Sequence, residues 1–204
     1  MIKNIIFDYS GPIRETVECS LSIVNSMLRK FGVKELSAEE MRKNWKQPFM
    51  EFYNKYIPGL TIEEEIELYK KAIKEYGQGK ACPGIIDLIK DLKKSGKKMA
   101  IVSSDFPELV LPELEKFGIK GLFDEISLGM HDKQEAVEDL LVKNNFRPEE
   151  TIFVGDSAHE IEVGKKAGTK TAAVLWGIDT EEKLRKAQPD FAVKNVEELR
   201  QILI

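Results

Sequence analysis

Residues 5–12 read Ile-Ile-Phe-Asp-Tyr-Ser-Gly-Pro, an apolar run that ends in one carboxylate and is closed by a glycine and a proline. The segment from Asn4 to Phe7 is short and rich in isoleucine and phenylalanine, which is typical of a strand buried on both faces of a parallel sheet. Gly11-Pro12 predict that this strand ends abruptly. Asp8 is then expected at the carboxyl end of the strand, where ligands bind in open α/β sheets. The structural alternative is that Asp8 only turns or caps the loop.

The composition is that of a globular protein of one domain, or of one domain with an insertion, in 204 residues. A net charge of -4 with interspersed signs gives no general attraction to nucleic acid or to a membrane surface. Cys19 and Cys82 lack a metal-ligand pattern, which favours a reducing compartment over a disulfide scaffold. Met1 leads almost directly into the first predicted strand, and no apolar run reaches the length of a membrane span. We therefore expect a cytoplasmic protein without a signal peptide.

Residues 14–79 show helical periodicity without strand-like alternation. One apolar helix face runs from Val17 to Phe31, and Gly32 is expected to end that helix. Two more helices are predicted at capping boxes, in which Ser or Thr is followed three residues later by Glu: Ser37 with Glu40, and Thr61 with Glu64. Because Pro12 and Gly77-Gln78-Gly79 bound this region, we predict a helical subdomain of residues 14–79 inserted into a core of residues 1–13 and 80–204.

Helices and strands alternate from residue 85 to the end. The predicted strands are residues 99–102, 125–128, 151–154, 170–175 and 191–193. The predicted helices run from residue 85 to Ser95-Gly96, over 108–117, 133–143 and 161–167, from 181, and over 196–203. This alternation predicts an α/β fold with a doubly wound, mainly parallel, Rossmann-like sheet.

Polar residues follow several of these strands. Ser103-Ser104-Asp105 come directly after the strand 99–102, where hydroxyls and the amides of a new helix would suit a phosphate; a helix cap by Ser104 or Asp105 is the alternative. Lys133 stands at the predicted start of a helix, where its charge opposes the helix dipole. An anion or carboxylate partner explains this lysine better than helix stability does, although a solvated surface lysine is the commoner case.

An acidic pair follows the strand 151–154. Asp156 and Glu160 are four residues apart, so that a helix starting here would bring both carboxylates to one side, where they could share a cation. Together with Asp8, Ser103 and Lys133 they lie at the ends of successive predicted strands. Carboxylate oxygens without cysteine or clustered histidine indicate a hard ion, and Mg²⁺ bridging to a substrate phosphate is the expected cofactor.

This pattern resembles the haloacid dehalogenase superfamily of phosphotransferases over essentially the whole chain. Asp8 matches the nucleophile of that family, Ser103 the hydroxyl of its second motif, Lys133 its lysine, and Asp156 with Glu160 its final acidic motif. The tail is similar to the phosphoglycolate-phosphatase-like branch, whose helical cap is inserted after the first motif, and the tail segments that match are 164–168, 171–177 and Pro189-Asp190.

The resemblance implies that Asp8 attacks a phosphoryl group and that water hydrolyses the resulting aspartyl phosphate. It also implies a Mg²⁺ ion held by Asp8, the backbone carbonyl of Ser10 and Asp156, with Glu160 supporting the water shell of the ion. Ser103 and Lys133 would bind the phosphate oxygens. The further candidate substrate contacts are Gly11, Ser104 and, in the cap, Lys46.

One departure concerns catalysis. Phosphatases of that family carry a second Asp two residues after the nucleophile, and this catalytic position is Ser10 here. The Asp protonates the leaving group and later activates water, a contribution of about 10² to 10⁴ in rate. A serine hydroxyl cannot replace it directly, so a slow enzyme or one selective for good leaving groups is expected. Glu15 and Pro12 also replace the usual Asp and Thr of this loop.

Three functions are therefore weighed. The first is a Mg²⁺-dependent phosphohydrolase of a small phosphorylated metabolite, acting as a monomer or homodimer without nucleic-acid or membrane partners. The second is carbon-phosphorus cleavage similar to that of phosphonoacetaldehyde hydrolase, which lacks the second Asp but needs a cap lysine, for which Lys46 and Lys55 are available. The third is a phosphate-binding or regulatory protein that has lost turnover.

Overall fold

The computed structural model describes residues 1–46, 49–76, 79–130 and 133–204, and the chain divides into two compact units. One unit comprises residues 1–15 and 81–204, and the other comprises residues 16–80. Gly77 and Gln78, part of the expected boundary of the insertion, lie outside the described residues.

The larger unit contains a six-stranded parallel sheet, as the sequence predicted. Its strands are β1 (Asn4–Phe7), β2 (Lys98–Val102), β3 (Glu125–Ser127), β4 (Thr151–Gly155), β5 (Lys170–Val174) and β6 (Phe191–Val193). Their order across the sheet is β3-β2-β1-β4-β5-β6, and every neighbouring pair is parallel. The doubly wound α/β architecture is thereby confirmed.

The described helices alternate with these strands in the larger unit and make up the smaller one. They are α1 (Val17–Lys30), α2 (Ala38–Asn44), α3 (Phe49–Tyr56), α4 (Ile62–Tyr76), α5 (Ile85–Lys94), α6 (Pro107–Lys116), α7 (Lys133–Lys143), α8 (Ala158–Lys166), α9 (Glu181–Lys186) and α10 (Val196–Leu203). Short 3₁₀ turns occur at Lys120–Leu122 and Pro148–Glu150. None of the helices in the described ranges is long and apolar enough to span a bilayer.

β1 is buried on both of its faces. Ile5 and Phe7 pack into one core cluster with residues of α5, α6 and α10, whereas Ile6 packs into a second cluster with residues of α7 and α8. Successive side chains of a strand point to opposite faces, so both faces of this central strand are covered by helices. Its apolar character, which suggested a buried parallel strand, is explained by this packing.

The register of the central strands aligns their carboxyl ends. Phe7 pairs with Ile101 of β2 on one side and with Val154 of β4 on the other. The residues that follow these strands therefore emerge at one edge of the sheet, and among them are Asp8, Ser103 and Asp156.

The smaller unit is helical throughout its regular elements. Both predicted capping boxes are present: Ser37 with Glu40 at α2, and Thr61 with Glu64 at α4. The connection between α1 and α2 is fixed by Asn25, whose side-chain amide exchanges two hydrogen bonds with the backbone of Leu36, at 2.9 and 3.0 Å.

One helix boundary corrects the sequence prediction in a way that matters for the site. The helix expected from Ile161 begins at Ala158, because Ser157 and Glu160 form a capping box at its N-terminus. Apolar periodicity starts only at Ile161, so the pattern missed the polar first turn. Asp156 consequently precedes the helix instead of lying on it.

Candidate active site

Asp8 lies one residue beyond β1, at the aligned strand ends. Its backbone amide donates to the carbonyl oxygen of Val154 at 2.9 Å, which continues the β1 to β4 ladder by one residue. The side chain is buried. Asp8 is therefore held by the sheet itself, and its carboxylate faces the residues that follow β4.

Lys133 joins Asp8 to Glu160. Its Nζ lies 3.0 Å from Oδ1 of Asp8 and 2.8 Å from Oε1 of Glu160, and all three side chains are buried. Burial alone would lower the pKa of this lysine, but the two adjacent carboxylates raise it above its ordinary value. The carboxylate partner that the sequence called for at this helix start is present.

Glu160 is the third helical residue of the capping box of α8. Its Oε2 accepts from the backbone amides of Asp156 and Ser157, at 3.0 and 2.9 Å, while its Oε1 contacts Lys133. Burial opposes its ionisation, yet the charge of Lys133 and these hydrogen bonds hold its pKa below the ordinary value. Gly155 leaves room for this turn, since a Cβ there would come within 2.6 Å of the Cβ of Glu160.

Asp156 sits between two glycines. A Cβ on Gly11 would lie 2.0 Å from its Oδ2, and a Cβ on Gly177 would lie 2.2 Å from both its Cβ and its Oδ2. The same oxygen accepts from the backbone amide of Ile178 at 2.6 Å. Gly11 has φ +97°, a conformation open mainly to glycine. Asp156 is thus fixed by close backbone contact on two sides.

Hydrogen bonds to Arg14 and Trp176 hold the backbone of Gly11 in this position. Its amide donates to the carbonyl oxygen of Arg14 at 2.9 Å, and its own carbonyl oxygen accepts from Nε1 of Trp176, also at 2.9 Å. In this structure Gly11 allows the loop to approach Asp156 closely, because it has no Cβ. Its proposed contact with substrate stays a prediction.

The three carboxylates form a cluster suited to a cation. Side-chain oxygens of Asp8, Asp156 and Glu160 lie within 4.8 Å of one another, and all three residues are buried. Lys133 offsets one of the three charges, which leaves about two negative charges to be compensated when all three acids are ionised. A divalent ion with a preference for oxygen ligands matches this donor set in both charge and chemistry.

The pKa values of two cluster residues reflect this excess of negative charge. Burial raises the pKa of Asp8 to about 7, with Lys133 acting in the opposite direction. Burial, with repulsion from Glu160, also raises the pKa of Asp156 well above its ordinary value. In addition, the contact of Asp8 Oδ1 with Lys133 is an ion pair that lacks hydrogen-bond alignment. These carboxylates therefore have capacity left for a cation.

A second group of polar side chains lies beside the cluster. The hydroxyls of Ser10 and Ser103 both donate to Oδ2 of Asp105, at 2.7 and 3.0 Å. Ser103 is buried, whereas Ser104 is exposed. Neither Ser104 nor Asp105 caps α6, because this helix begins at Pro107 and its N-cap is Phe106. The expected helix-start amides therefore do not adjoin Ser103.

A buried ion pair fixes the loop that follows Ser10. The hydroxyl of Tyr9 donates to Oε2 of Glu113 at 2.6 Å, and Nε of Arg14 lies 3.0 Å from the same oxygen. All three side chains are buried. This network ties both sides of the Ser10-Gly11 turn to α6, and the loop is therefore anchored independently of the acidic cluster.

Lys46 belongs to the smaller unit. Its side chain is exposed and its Nζ lies 3.5 Å from Oε2 of Glu51. The contact of Lys46 with substrate stays a prediction, as does the use of the Ser10 carbonyl as a metal ligand.

Sequence reasoning missed three contributors to this site. The sequence pattern indicates only a helix cap for Asp105, and it indicates no part for Gly177 and Ile178 in holding Asp156. A glycine or a backbone amide far along the chain carries no local pattern that reveals the carboxylate it will approach. For Asp105 the signal was the position of the next predicted helix, which begins at residue 108 and is therefore too far along the chain for Asp105 to cap it.

Comparison with known proteins agrees with this geometry. The family model described as haloacid dehalogenase-like hydrolase matches residues 5–174. The chain is 29% identical to pyrophosphatase PpaX of Bacillus pumilus, over 99% of this chain and 96% of the relative. It is 28% identical to a phosphoglycolate phosphatase of Aquifex aeolicus, over 99% and 97% of the two chains. A haloacid dehalogenase-like hydrolase of Streptococcus pneumoniae shares the fold, with a TM-score of 0.84, 22% identity and 98% of each chain covered.

Proposed function

Because the chain belongs to the haloacid dehalogenase-like hydrolase family and is a phosphatase of that family, we propose that it hydrolyses a small phosphorylated metabolite through an aspartyl phosphate on Asp8. The observation that carries the proposal is the buried constellation of Asp8, Asp156 and Glu160 around Lys133. It combines one candidate nucleophile, one fixed positive charge and a cation site at a single sheet edge.

In the first step an oxygen of Asp8 forms a bond to phosphorus as the bond from phosphorus to the leaving-group oxygen breaks. Asp8 must be ionised to attack, and burial opposes this. Lys133, 3.0 Å from Oδ1, favours the ionised form and offers a positive charge to the phosphoryl oxygens. Ser103 is the proposed hydrogen-bond donor to the same oxygens, and its hydroxyl, which donates to Asp105 in this structure, would turn to the phosphate when substrate binds.

Mg²⁺ is the proposed cofactor. Asp8, Asp156 and the carbonyl of Ser10 would hold the ion, which when bound supplies positive charge that allows an anionic nucleophile to approach an anionic phosphate. Both oxygens of Glu160 are already engaged, which fits a role in orienting Lys133 and the water shell better than direct ligation. The proposal also includes the inserted helical unit as the cap, with Lys46 as a candidate contact of the substrate.

The leaving group is constrained by Ser10. Phosphate esters of alcohols need a proton on the departing oxygen, whereas a departing phosphate is stable as an anion near neutral pH. A serine in place of a carboxylic acid therefore favours substrates of the second kind. Pyrophosphate and phosphoglycolate, which the names of the relatives give, are the first compounds to compare.

The test measures phosphate release from these two compounds with Mg²⁺ and traps the phosphoenzyme by acid quench. Asp8→Asn is expected to abolish both signals, because an amide is a poor nucleophile. The matched control is Asp139→Asn, an exposed position on α7 that should behave as the wild type. Turnover by Asp8→Asn at the wild-type rate, or a wild type that never releases phosphate from a broader panel, would refute the proposal.

A further inference from the structure

The carboxylate of Asp105 is held by hydrogen bonds that do not serve to cap α6. Its Oδ2 accepts both hydroxyl hydrogens, from Ser10 and from Ser103. Its backbone amide donates to Ser103 Oγ at 3.2 Å, and its carbonyl oxygen accepts from the amide of Gly129 at 2.9 Å. Its side chain does not cap the helix that follows. Asp105 therefore orients Ser10, the second residue after the proposed nucleophile.

The hydrogen of Ser10 is committed to Asp105, which determines what the hydroxyl can do next. With its hydrogen donated at 2.7 Å, Ser10 Oγ presents its lone pairs to a neighbouring donor. A water molecule is such a donor. The backbone amide of Asp105 donates to Oγ of the buried Ser103, and this bond, which does not use the Ser103 hydrogen, keeps Asp105 beside Ser10.

Hydrolysis of an aspartyl phosphate requires a group that takes a proton from the attacking water. In that step Asp8 carries the phosphoryl group, and Glu160 has both oxygens engaged. Asp156 is confined between Gly11 and Gly177 and bonds Ile178. The pair formed by Ser10 and Asp105 is not engaged in this way, so it can accept the proton.

We propose that Ser10 and Asp105 form a proton relay for the hydrolysis of the aspartyl phosphate, in which Ser10 is the catalytic residue and Asp105 the positioning residue that receives the proton through it. The inference rests on the proposed function. The water oxygen forms a bond to phosphorus while the bond from phosphorus to the Asp8 oxygen breaks, and that electron pair returns to the Asp8 carboxylate. The proton of the water passes to Ser10 Oγ as the original proton of Ser10 passes to Asp105 Oδ2. Asp105 is partly exposed and releases the proton to solvent before the next turnover.

The first test is Asp105→Asn, which keeps an oxygen that accepts from both hydroxyls but cannot take up the proton. We expect kcat to fall by about 10² or more, the usual contribution of general acid-base catalysis. Because only the second half of the reaction slows, the acid-quenched phosphoenzyme should accumulate and KM should fall together with kcat. Asp139→Asn is again the matched control.

The second test places the carboxylate directly at position 10. In a Ser10→Asp background the relay is bypassed, so adding Asp105→Asn should reduce kcat by less than about threefold, whereas it costs about 10² in the natural sequence. An equal loss in both backgrounds would overturn the relay. So would a rise in KM without phosphoenzyme accumulation, because Asp105 would then only shape the phosphate site.

Binding of beryllofluoride in the presence of Mg²⁺, measured by calorimetry, reports whether Asp105→Asn preserves the site. If Asp105→Asn no longer binds beryllofluoride, Ser10→Ala is used as the test variant instead, because removal of either relay residue predicts accumulation of the phosphoenzyme. A Ser10→Ala variant that does not accumulate phosphoenzyme would also overturn the relay. A wild type that forms no phosphoenzyme at all would instead refute the proposed function, and the relay with it.

Discussion

Gly177→Ala is expected to weaken metal binding by moving Asp156. The new Cβ would lie 2.2 Å from the Cβ and Oδ2 of Asp156, whereas ordinary contacts of a Cβ begin at 3.4 Å. Asp156 would have to retreat by about 1 Å, and displacements of that size cost about 10² in rate at a catalytic centre. The φ angle of Gly177 lies outside the left-handed region, so alanine adds steric overlap without backbone strain of that kind.

The expected loss of Mg²⁺ affinity is about 10- to 100-fold, or about 1.4 to 2.8 kcal/mol. Overpacking should also lower the free energy of unfolding by about 1 to 3 kcal/mol. Calorimetric titration of the metal-free protein with Mg²⁺ measures the first quantity, and urea denaturation with a chelator measures the second.

Gly121→Ala is the matched control. Gly121 lies in the 3₁₀ turn Lys120–Leu122, and a Cβ there meets no atom within 4 Å among the described residues. It should leave both quantities nearly unchanged. If Gly177→Ala loses stability but binds Mg²⁺ as tightly as Gly121→Ala does, Asp156 is not a ligand and the assignment of the cation site is wrong.

Three other perturbations test the energetics of the fold and the site. Lys133→Met leaves Asp8 and Glu160 buried without their cation, so urea denaturation with a chelator should show a loss of about 3 to 5 kcal/mol, and Mg²⁺ should raise the melting temperature more than in wild type; equal shifts would contradict the charge argument. Tyr9→Phe deletes the 2.6 Å hydrogen bond to the buried Glu113 and should cost about 1.5 to 3 kcal/mol by the same method, with an unchanged midpoint as the contrary result. Burial raises the pKa of Glu65 from 4.5 to about 7, so the folded state holds this proton longer and the wild type should lose up to about 3 kcal/mol relative to Glu65→Gln as the pH rises from 4.5 to 7; parallel pH profiles of the two proteins would show that Glu65 is not buried as described.

The sequence predicted the sheet well because the evidence for each strand is local. The bounds of β1, α7 and α10 were predicted to the residue, since each begins and ends at a change of apolar periodicity. The start of α8 was missed because the first turn of that helix is polar and is recognised only by its capping box.

The site could be predicted only in part, for a related reason. Residue type and position in the predicted elements singled out Asp8 and Asp156, directly after strands, and Lys133, at the start of α7, because these positions follow from local periodicity. Contacts between distant loops left no such signal. The carboxylate of Asp105 bonds a hydroxyl in the loop after β1, and Glu113 of α6 holds Tyr9, and neither pairing follows from spacing along the chain.

The strand order has a consequence for how the protein is made. Within the described residues β1 pairs with β2 (98–102) and β4 (151–155) alone, so the strand that leads into Asp8 has no sheet neighbour while the helical unit 16–80 is synthesised. At about 5 to 20 residues per second, roughly 7 to 30 s separate the synthesis of β1 from that of β4. Until β2 has been made, Ile5, Ile6 and Phe7 form an unpaired apolar segment open to intermolecular association, and afterwards one edge of β1 stays open until β4 is made. β1, which leads into Asp8, is thus made well before its neighbour β4, and a ribosome stalled before β4 would hold a chain that has Asp8 but no acidic pair.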